Sequence, residues 1–213
     1  MDKLYVVSSN NGNARRPRGR PRSERARQSV LDAAADLALA HDGVATIEEI
    51  AGRAGVSRTT VYKWWKSPGA VMLEGLEERI HETDDHQQTP TDPYDGLLHQ
   101  MESLNRLLMH TQAGALFRRL MTTTGTDPAV REALLERWIR PRRKRAAEII
   151  RQGMLDKSLR DDLDVELVID GLFAPIYHRL TVAHLPLDTE LPRRLLDTVW
   201  PGITVHHRAK ADR

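Results

Sequence analysis

The residue types with the clearest chemistry stand together in the stretch GVSRTTVYKWW, residues 55–65. Six of seven consecutive positions there carry hydrogen-bond donors: Arg58, Thr59, Thr60, Tyr62, Lys63 and Trp64. Arginine, lysine and threonine are side chains that read base edges in a duplex, and hydroxyl and N–H groups contact its phosphates. The stretch therefore indicates a surface that binds nucleic acid.

Helical spacing divides this stretch into two faces. Val61 and Trp65 lie four residues apart and share one face, which we expect to be buried. The donors occupy the opposite arc, with Thr60 and Trp64 at its edge. We expect Trp64 to flank a groove and to donate its indole N–H to a phosphate; the alternative is that it packs on the next helix. Eight helical residues span about 12 Å, similar to the width of the major groove.

Capping signals define two short helices around these residues. Residues 46–49, TIEE, form a capping box that begins a helix over 47–54, and Gly55 suits the left-handed conformation that ends it. Ser57 then caps a helix over 58–65. Two short helices joined by a tight Gly-Val-Ser turn predict a helix-turn-helix.

The remaining chain also has a helical pattern. Ser23 is a suitable N-cap for a first helix that ends near residues 41–43, and Ser67 with Pro68 begins a fourth helix. Apolar residues recur at helical spacing after that, and no stretch alternates as a strand does. The predicted fold class is all-α.

Three longer helices are expected in the C-terminal part. One covers residues 127–155 and contains Pro141, which should kink it because proline lacks the amide hydrogen. Two more are expected over about 165–184 and about 189–200.

Charge and composition limit the class of protein. Residues 15–66 hold eleven Arg and Lys against six acids, while the whole chain carries only +2, so a basic front precedes an acidic body and indicates a polyanionic partner. The chain has no cysteine, no export signal and no 18-residue apolar run, which predicts a cytoplasmic protein outside the membrane. Because common catalytic and cofactor motifs are missing, no enzyme activity, cofactor or metal site is expected.

The run RQSVLDAAADLALAHDGVATIEEIAGRAGVSRTTVYKWWKSPGAVMLEGLEE resembles the TetR family of bacterial transcriptional regulators over the whole DNA-binding module. The body is similar to TetR C-terminal domains in ALFRRLM, RWIRPRRKRAAEIIRQG and DGLFAPIYHRL. The resemblance implies a homodimer, a three-helix DNA-binding unit and a helical body that senses a small-molecule effector. It also implies a dimer interface built as a four-helix bundle from the last two long helices of each chain.

The resemblance further implies roles for single residues. Arg58, Thr59 and Lys63 are the expected base-edge contacts. The expected phosphate donors are Thr60, Tyr62 and Trp64. Where the family usually has a lysine at the start of the fourth helix, this chain has Pro68, and Lys66 is a possible replacement.

The basic arm RRPRGRPR, residues 15–22, is a second candidate for DNA contact. Arg18-Gly19-Arg20-Pro21 resembles the core of an AT-hook, whose arginines lie in a narrow A·T minor groove. The expectation is that Arg18 and Arg20 enter the minor groove; the alternative is a disordered solubilising tail.

A ligand pocket is expected among the body helices, since prolines inside helices often border cavities. The candidates are Leu104, Leu108, Leu116, Phe117, Leu120, Trp138, Phe173, Ile176 and Tyr177, with Arg118 and His178 placed to orient an anionic ligand. The alternative is that these residues form ordinary core.

The expected organisation has four parts. They are a disordered basic arm (1–22), a helix-turn-helix domain (23–83, motif 46–65), a helical ligand-binding and dimerisation domain (84–205) and a tail (206–213). The predicted function is a ligand-responsive repressor that binds a palindromic operator as a homodimer. The alternatives are an architectural DNA-binding protein without an effector, and an activator of the same fold.

Overall fold

The computed structural model of the protein describes residues 20–40, 44–83, 92–110 and 112–205. The helices are α1 (Arg20–Ala40), α2 (Ile47–Ala54), α3 (Arg58–Tyr62), α4 (Pro68–Thr83), α5 (Pro93–His110), α6 (Gln112–Thr123), α7 (Pro128–Ala133), α8 (Arg140–Leu155), α9 (Val165–Val182) and α10 (Leu191–Ile203). A π-helical segment (Leu134–Ile139), called the π segment below, joins α7 to α8. Within the described ranges the only extended pairing is an isolated bridge between Leu159 and Thr204, so the all-α prediction is confirmed.

The first helix begins earlier than its sequence signals predict. α1 starts at Arg20, so Ser23 lies inside the first turn and its prediction as the N-cap is wrong. A proline is tolerated in a first turn, where its missing amide hydrogen would have no partner, and Pro21 is therefore compatible with the longer helix. Arg20 is already helical, whereas Arg18 lies outside the described residues.

The second helix has the caps that the sequence predicts. The Thr46 amide donates to Glu49 Oε2 at 2.7 Å, and the Glu49 amide donates to the Thr46 hydroxyl oxygen at 3.2 Å. At the other end Gly55 has φ of 68°, a left-handed conformation that glycine adopts without steric cost. The capping box and the glycine stop are both confirmed.

The third helix is shorter than predicted, because α3 ends at Tyr62 instead of reaching Trp65. The Trp64 amide donates to the Val61 carbonyl at 3.0 Å, three residues back, which tightens the last turn. The chain then leaves the helix at Trp65, which is only 5% exposed. Ser67 begins α4 as predicted, accepting the amide of Ala70 at 3.3 Å.

α4 connects the N-terminal module to the body. It packs along α1 on one side and contacts α7 and the π segment on the other. The contact with α1 is very close at Gly75, where a Cβ atom would lie 2.4 Å from the Leu31 carbonyl oxygen. Only glycine fits at this point of the helix pair.

The body helices enclose the larger core, whose largest fully buried side chains include Trp138 and Phe117. The sequence predicts one kinked helix over 127–155. The structure instead has α7, the π segment and α8 over this range, and the π segment ends two residues before Pro141. The Arg140 amide donates to the Leu135 carbonyl, five residues back. A wider turn lets the helical run pass a residue that has no amide to donate. None of the described helices is long and apolar enough to span a bilayer.

The close approach at Gly75 leads to a stability prediction. Gly75→Ala should lower the free energy of unfolding by about 2 kcal/mol, because backbone atoms of α1 must move to admit the methyl group. Gly52→Ala in α2 is the matched control, since nothing lies within 4 Å of its added Cβ, and it should stabilise by up to about 1 kcal/mol. Urea unfolding followed by circular dichroism measures both; equal effects would contradict the close packing.

Candidate nucleic-acid interface

The outer face of α3 carries the donors that the sequence singles out. Arg58, Thr59 and Lys63 are exposed and Tyr62 is 50% exposed. Val61 is fully buried on the opposite face. The two predicted faces are therefore present, although the helix that bears them has only five residues.

Arg58 is held by a carboxylate that sequence reasoning did not single out. Its guanidinium donates to Glu48 on α2 at 2.6 Å, and both side chains remain more than half exposed. This hydrogen bond raises the pKa of Arg58 and lowers the pKa of Glu48, so both groups stay charged. A duplex that contacts Arg58 would have to compete with Glu48 for its guanidinium.

Thr60 lies at the edge of the donor face and takes part in the cap. Its amide donates to the Ser57 hydroxyl oxygen at 3.2 Å, and the two hydroxyl oxygens are 2.9 Å apart. The Thr60 hydroxyl is thereby oriented at the start of α3, where backbone amides also favour a phosphate.

The adjacent tryptophans have different surroundings. Trp65 is buried, as predicted, and its indole N–H donates to Glu74 Oε2 at 2.7 Å. Trp64 is partly buried, packs on the core and meets the Trp65 ring edge-on, with centroids 5.6 Å apart. The Lys63 amine lies 5.6 Å from the Trp64 ring centroid. The Trp64 ring thus lies beside the Lys63 amine, and the predicted contact of Trp64 with a phosphate stays a prediction.

The remaining DNA candidates are Lys66, Arg18 and Arg20. Lys66 is exposed in the turn before α4, two residues ahead of Pro68 at the first helical position. Only the backbone of Arg20 is described, and Arg18 lies outside the described residues, so minor-groove contact by the arm stays a prediction.

The predicted ligand residues lie partly in ordinary core. Leu104, Leu108, Leu116, Phe117, Leu120 and Ile176 are buried. Trp138 is also buried, its ring centroid lies 4.1 Å from that of Phe117, and its indole N–H donates to the Tyr177 hydroxyl at 3.2 Å.

Two cavities open among the described body residues. The first, of about 130 Å³, lies between α8 and α9 and is lined by Ile139, Arg142, Arg143, Ile169, Asp170, Phe173, Ala174 and Tyr177. Sequence reasoning named Phe173 and Tyr177 there but missed the other lining residues. The motif RWIRPRRKR around Pro141, which supplies Ile139 and both arginines, was the available signal.

The second cavity, of about 370 Å³, is more open and lies at the end of α9. It is lined by Leu108, Met109, Arg118, Arg179, Leu180, Ala183, Leu185, Pro186 and Leu187. The Arg118 Nε atom donates to the Leu180 carbonyl at 2.8 Å. His178 is exposed and its ring lies 4.6 Å from that of His184, outside this lining.

A helix-turn-helix with exposed donors, mounted on a larger helical body, defines a DNA-binding transcription regulator. Comparison with known proteins supports this class. Residues 92–199 match the family described as "Tetracyclin repressor-like, C-terminal domain". The Bacillus subtilis (strain 168) protein "Uncharacterized HTH-type transcriptional regulator YdeS" is 31% identical over 188 residues, 87% of this chain and 93% of the relative. The chain therefore belongs to the TetR family of transcriptional regulators, which are DNA-binding proteins and not enzymes.

Solved structures show the same fold. TetR family transcription regulator SCO0332 superposes with a TM-score of 0.69 at 29% identity, over 84% of this chain and 99% of that one. A putative transcriptional regulator from Saccharomonospora viridis, in complex with choline, gives a TM-score of 0.60 at 20% identity, over 86% and 100% of the two chains.

The Arg58–Glu48 pair leads to a binding prediction. Glu48→Gln should tighten binding to a random duplex and steepen the log–log salt dependence by up to about 0.9, because Arg58 becomes available to neutralise a phosphate. Fluorescence anisotropy across a salt series measures this effect. Glu132→Gln, which removes an exposed carboxylate from α7, is the control. A slope that stays at the wild-type value would mean that Arg58 does not reach the duplex.

Proposed function

We propose that this chain is a ligand-responsive repressor that binds a palindromic operator as a homodimer, with α3 in the major groove. The observation that carries the proposal is the exposed donor face of α3, backed by the buried Val61 and Trp65. The face combines groups for base edges with groups for phosphates, as a specific protein–DNA contact requires.

Within that surface we assign base reading to Arg58, Thr59 and Lys63. The ammonium of Lys63 favours guanine, while threonine suits a thymine methyl or a hydrogen-bonding edge. The proposed phosphate contacts come from Thr60, Tyr62, Trp64 and Lys66. Lys66 stands two residues before Pro68, which occupies the position where the family usually has a lysine, and it is exposed.

Lys63→Ala should reveal whether this residue reads sequence. Selection from a random duplex pool with the wild-type protein first defines the operator. The variant should then lose about 1–3 kcal/mol at one base pair and tolerate substitution there. Lys144→Ala, at an exposed lysine of α8, is the matched control and should bind as the wild type does. Equal weakening on every duplex would make Lys63 a phosphate contact.

The same selection separates the proposal from an architectural protein. A regulator should select one or a few palindromes, whereas an architectural protein should select A·T-rich duplexes with little further preference. Activation instead of repression depends on where the operator lies relative to the promoter, so transcription in vitro from the selected site decides the sign.

The proposed dimer interface is the outer face of α9 together with α10. Leu167 and Val182 are 69% and 58% exposed on that face. Gly171 lies between them, and a Cβ atom there would meet nothing within 4 Å; the same holds for Gly202 on α10. An apolar stripe with small residues allows helices of two chains to approach closely around a two-fold axis.

Leu167→Glu should therefore convert the dimer to a monomer, because two carboxylates would be buried near the two-fold axis. Operator affinity should fall at least about 100-fold, since half-sites one helical turn apart need both chains. Leu155→Glu is the matched control, with an equally exposed leucine at the end of α8. Analytical ultracentrifugation gives the mass. A Leu167→Glu dimer of unchanged stability would place the interface elsewhere.

The effector part of the proposal rests on family membership and on the cavities in the body. A structural neighbour has been crystallised with choline, so this fold can hold a small organic molecule. An effector weakens operator binding only by its differential affinity for two states of the protein, typically about 1–3 kcal/mol.

A further inference from the structure

The π segment interrupts the regular helical pattern between α7 and α8. Its wide turn accommodates one extra residue ahead of Pro141, and the Arg140 amide reaches the Leu135 carbonyl. If the wide turn moves along the helix, side chains between its old and new positions rotate by about 100°, the angle of one helical residue. Trp138 and Arg137 lie inside this segment, so both change direction together.

The cavity between α8 and α9 is in direct contact with the π segment. Ile139, the last residue of the segment, lines it. Tyr177 lines it as well and accepts the Trp138 indole N–H at 3.2 Å. The Arg142 guanidinium carbon lies 3.3 Å from the Trp138 ring centroid and fixes the other face of that ring. A molecule in this cavity therefore touches residues that hold the present position of the wide turn.

The size and walls of the cavity indicate one class of ligand. Its volume of about 130 Å³ is close to that of an engineered apolar cavity that binds benzene, roughly 150 Å³. Ile139, Ile169, Phe173 and Ala174 provide apolar walls that suit one planar ring.

Polar groups around the cavity restrict the ligand further. The Tyr177 hydroxyl accepts from Trp138 and keeps its own hydrogen to donate to a ligand oxygen. Burial raises the pKa of Tyr177, so this donor is retained at neutral pH. Arg142 and Arg143 bring two positive charges to this lining, and Glu166 and Asp170, which pair with Arg143, bring two negative charges, so the formal charge of these four groups sums to zero. The ring is therefore uncharged and bears a hydrogen-bond acceptor.

A second set of contacts leads from the π segment to the DNA-binding face. Arg137 forms an ion pair with Glu74 on α4, with 3.0 Å between the nitrogen and oxygen atoms. The Glu74 side chain is only 5% exposed, and it also accepts the Trp65 indole N–H at 2.7 Å and pairs with Arg27. One buried carboxylate thus holds both a residue of the π segment and the tryptophan at the end of α3.

We propose that the cavity between α8 and α9 binds an uncharged single-ring aromatic compound with a carbonyl or hydroxyl acceptor. Its occupancy moves the wide turn of the π segment, withdraws Arg137 from Glu74 and so displaces the carboxylate that positions Trp65 after α3. The proposal rests on the ligand-responsive function above and names its effector class, its site and its route to the duplex. Because Glu74 is buried, loss of one cation partner shifts the balance among the others.

The four tryptophans allow this route to be followed without DNA, because each indole N–H gives its own signal in a ¹H–¹⁵N NMR spectrum. The probe is acetophenone, a single ring with one carbonyl. Its titration should shift the signals of Trp138 and Trp65 together with the same saturation curve. Trp200, which packs against Tyr94 at the far end of the body, should not shift.

Two variants test the ligand site and the connection from Arg137 to Trp65 separately. Tyr177→Phe should bind acetophenone at least tenfold more weakly, because the ligand oxygen loses its donor. Arg137→Met should bind acetophenone as the wild type does and shift only Trp138, because the connection to Glu74 is broken. With the selected operator, acetophenone should weaken wild-type binding about 5–150-fold and leave Arg137→Met unaffected.

Matched probes test the ligand class. Ethylbenzene has a similar shape without the acceptor and should bind more weakly than acetophenone; benzoate carries a charge and should bind more weakly still. Tighter binding of benzoate, or no saturable binding of acetophenone, overturns the proposed class and site. A Trp65 shift that persists in Arg137→Met overturns the route.

Failure of the proposed function gives a different result. If the wild-type protein selects no duplex, the repressor assignment is wrong, while the NMR titration still reports on the cavity and on Arg137. If the operator is bound but acetophenone shifts Trp138 and Trp65 without changing operator affinity, the coupling to the duplex is overturned and the DNA-binding assignment stands.

Discussion

A helix of five residues cannot hold its own shape in water, because forming the first turn is unfavourable and few bonds follow to compensate. α3 is such a helix, and its order depends on the interior behind it. Ser57 caps one end, Val61 anchors the middle, and Trp65 is fixed at the other end by Glu74. The donors stay on the outer side because these three contacts hold the opposite side. The exposed donor face thus depends on apolar burial and one hydrogen bond that lie behind it.

The sequence was informative where the cause of structure is local. The capping box of Thr46 and Glu49, the left-handed Gly55 and the Ser57 cap each involve residues within a few positions of one another. The division of the 58–65 stretch into a buried and an exposed face also follows from helical spacing alone. These signals, together with the resemblance to a known family, predicted the fold class and the exposed donor face of α3.

The sequence was uninformative where partners lie far apart in the chain. Nothing near Glu74 indicates that Trp65, Arg27 and Arg137 converge on it, and Arg58 gives no sign of its pairing with Glu48. Local signals also failed where two of them competed. Ser23 is a good N-cap, but α1 begins before it, at Arg20. The helical pattern of the sequence runs to Trp65, but α3 already ends at Tyr62. The sequence predicted that Pro141 disturbs the long helix, but it did not predict the π-helical turn that accommodates this proline.

The close contact at Gly75 has a mechanical consequence. Backbone against backbone leaves little room for sliding, so we expect α1 and α4 to move together, and α3 directly precedes α4 in the chain. A sixteen-residue helix is about 24 Å long, and a tilt of about 10° at one end therefore displaces the other by roughly 4 Å. That displacement exceeds the rise of about 3.4 Å between successive base pairs. A tilt of this size along α4 is thus enough to shift one end of the helix by a whole base step.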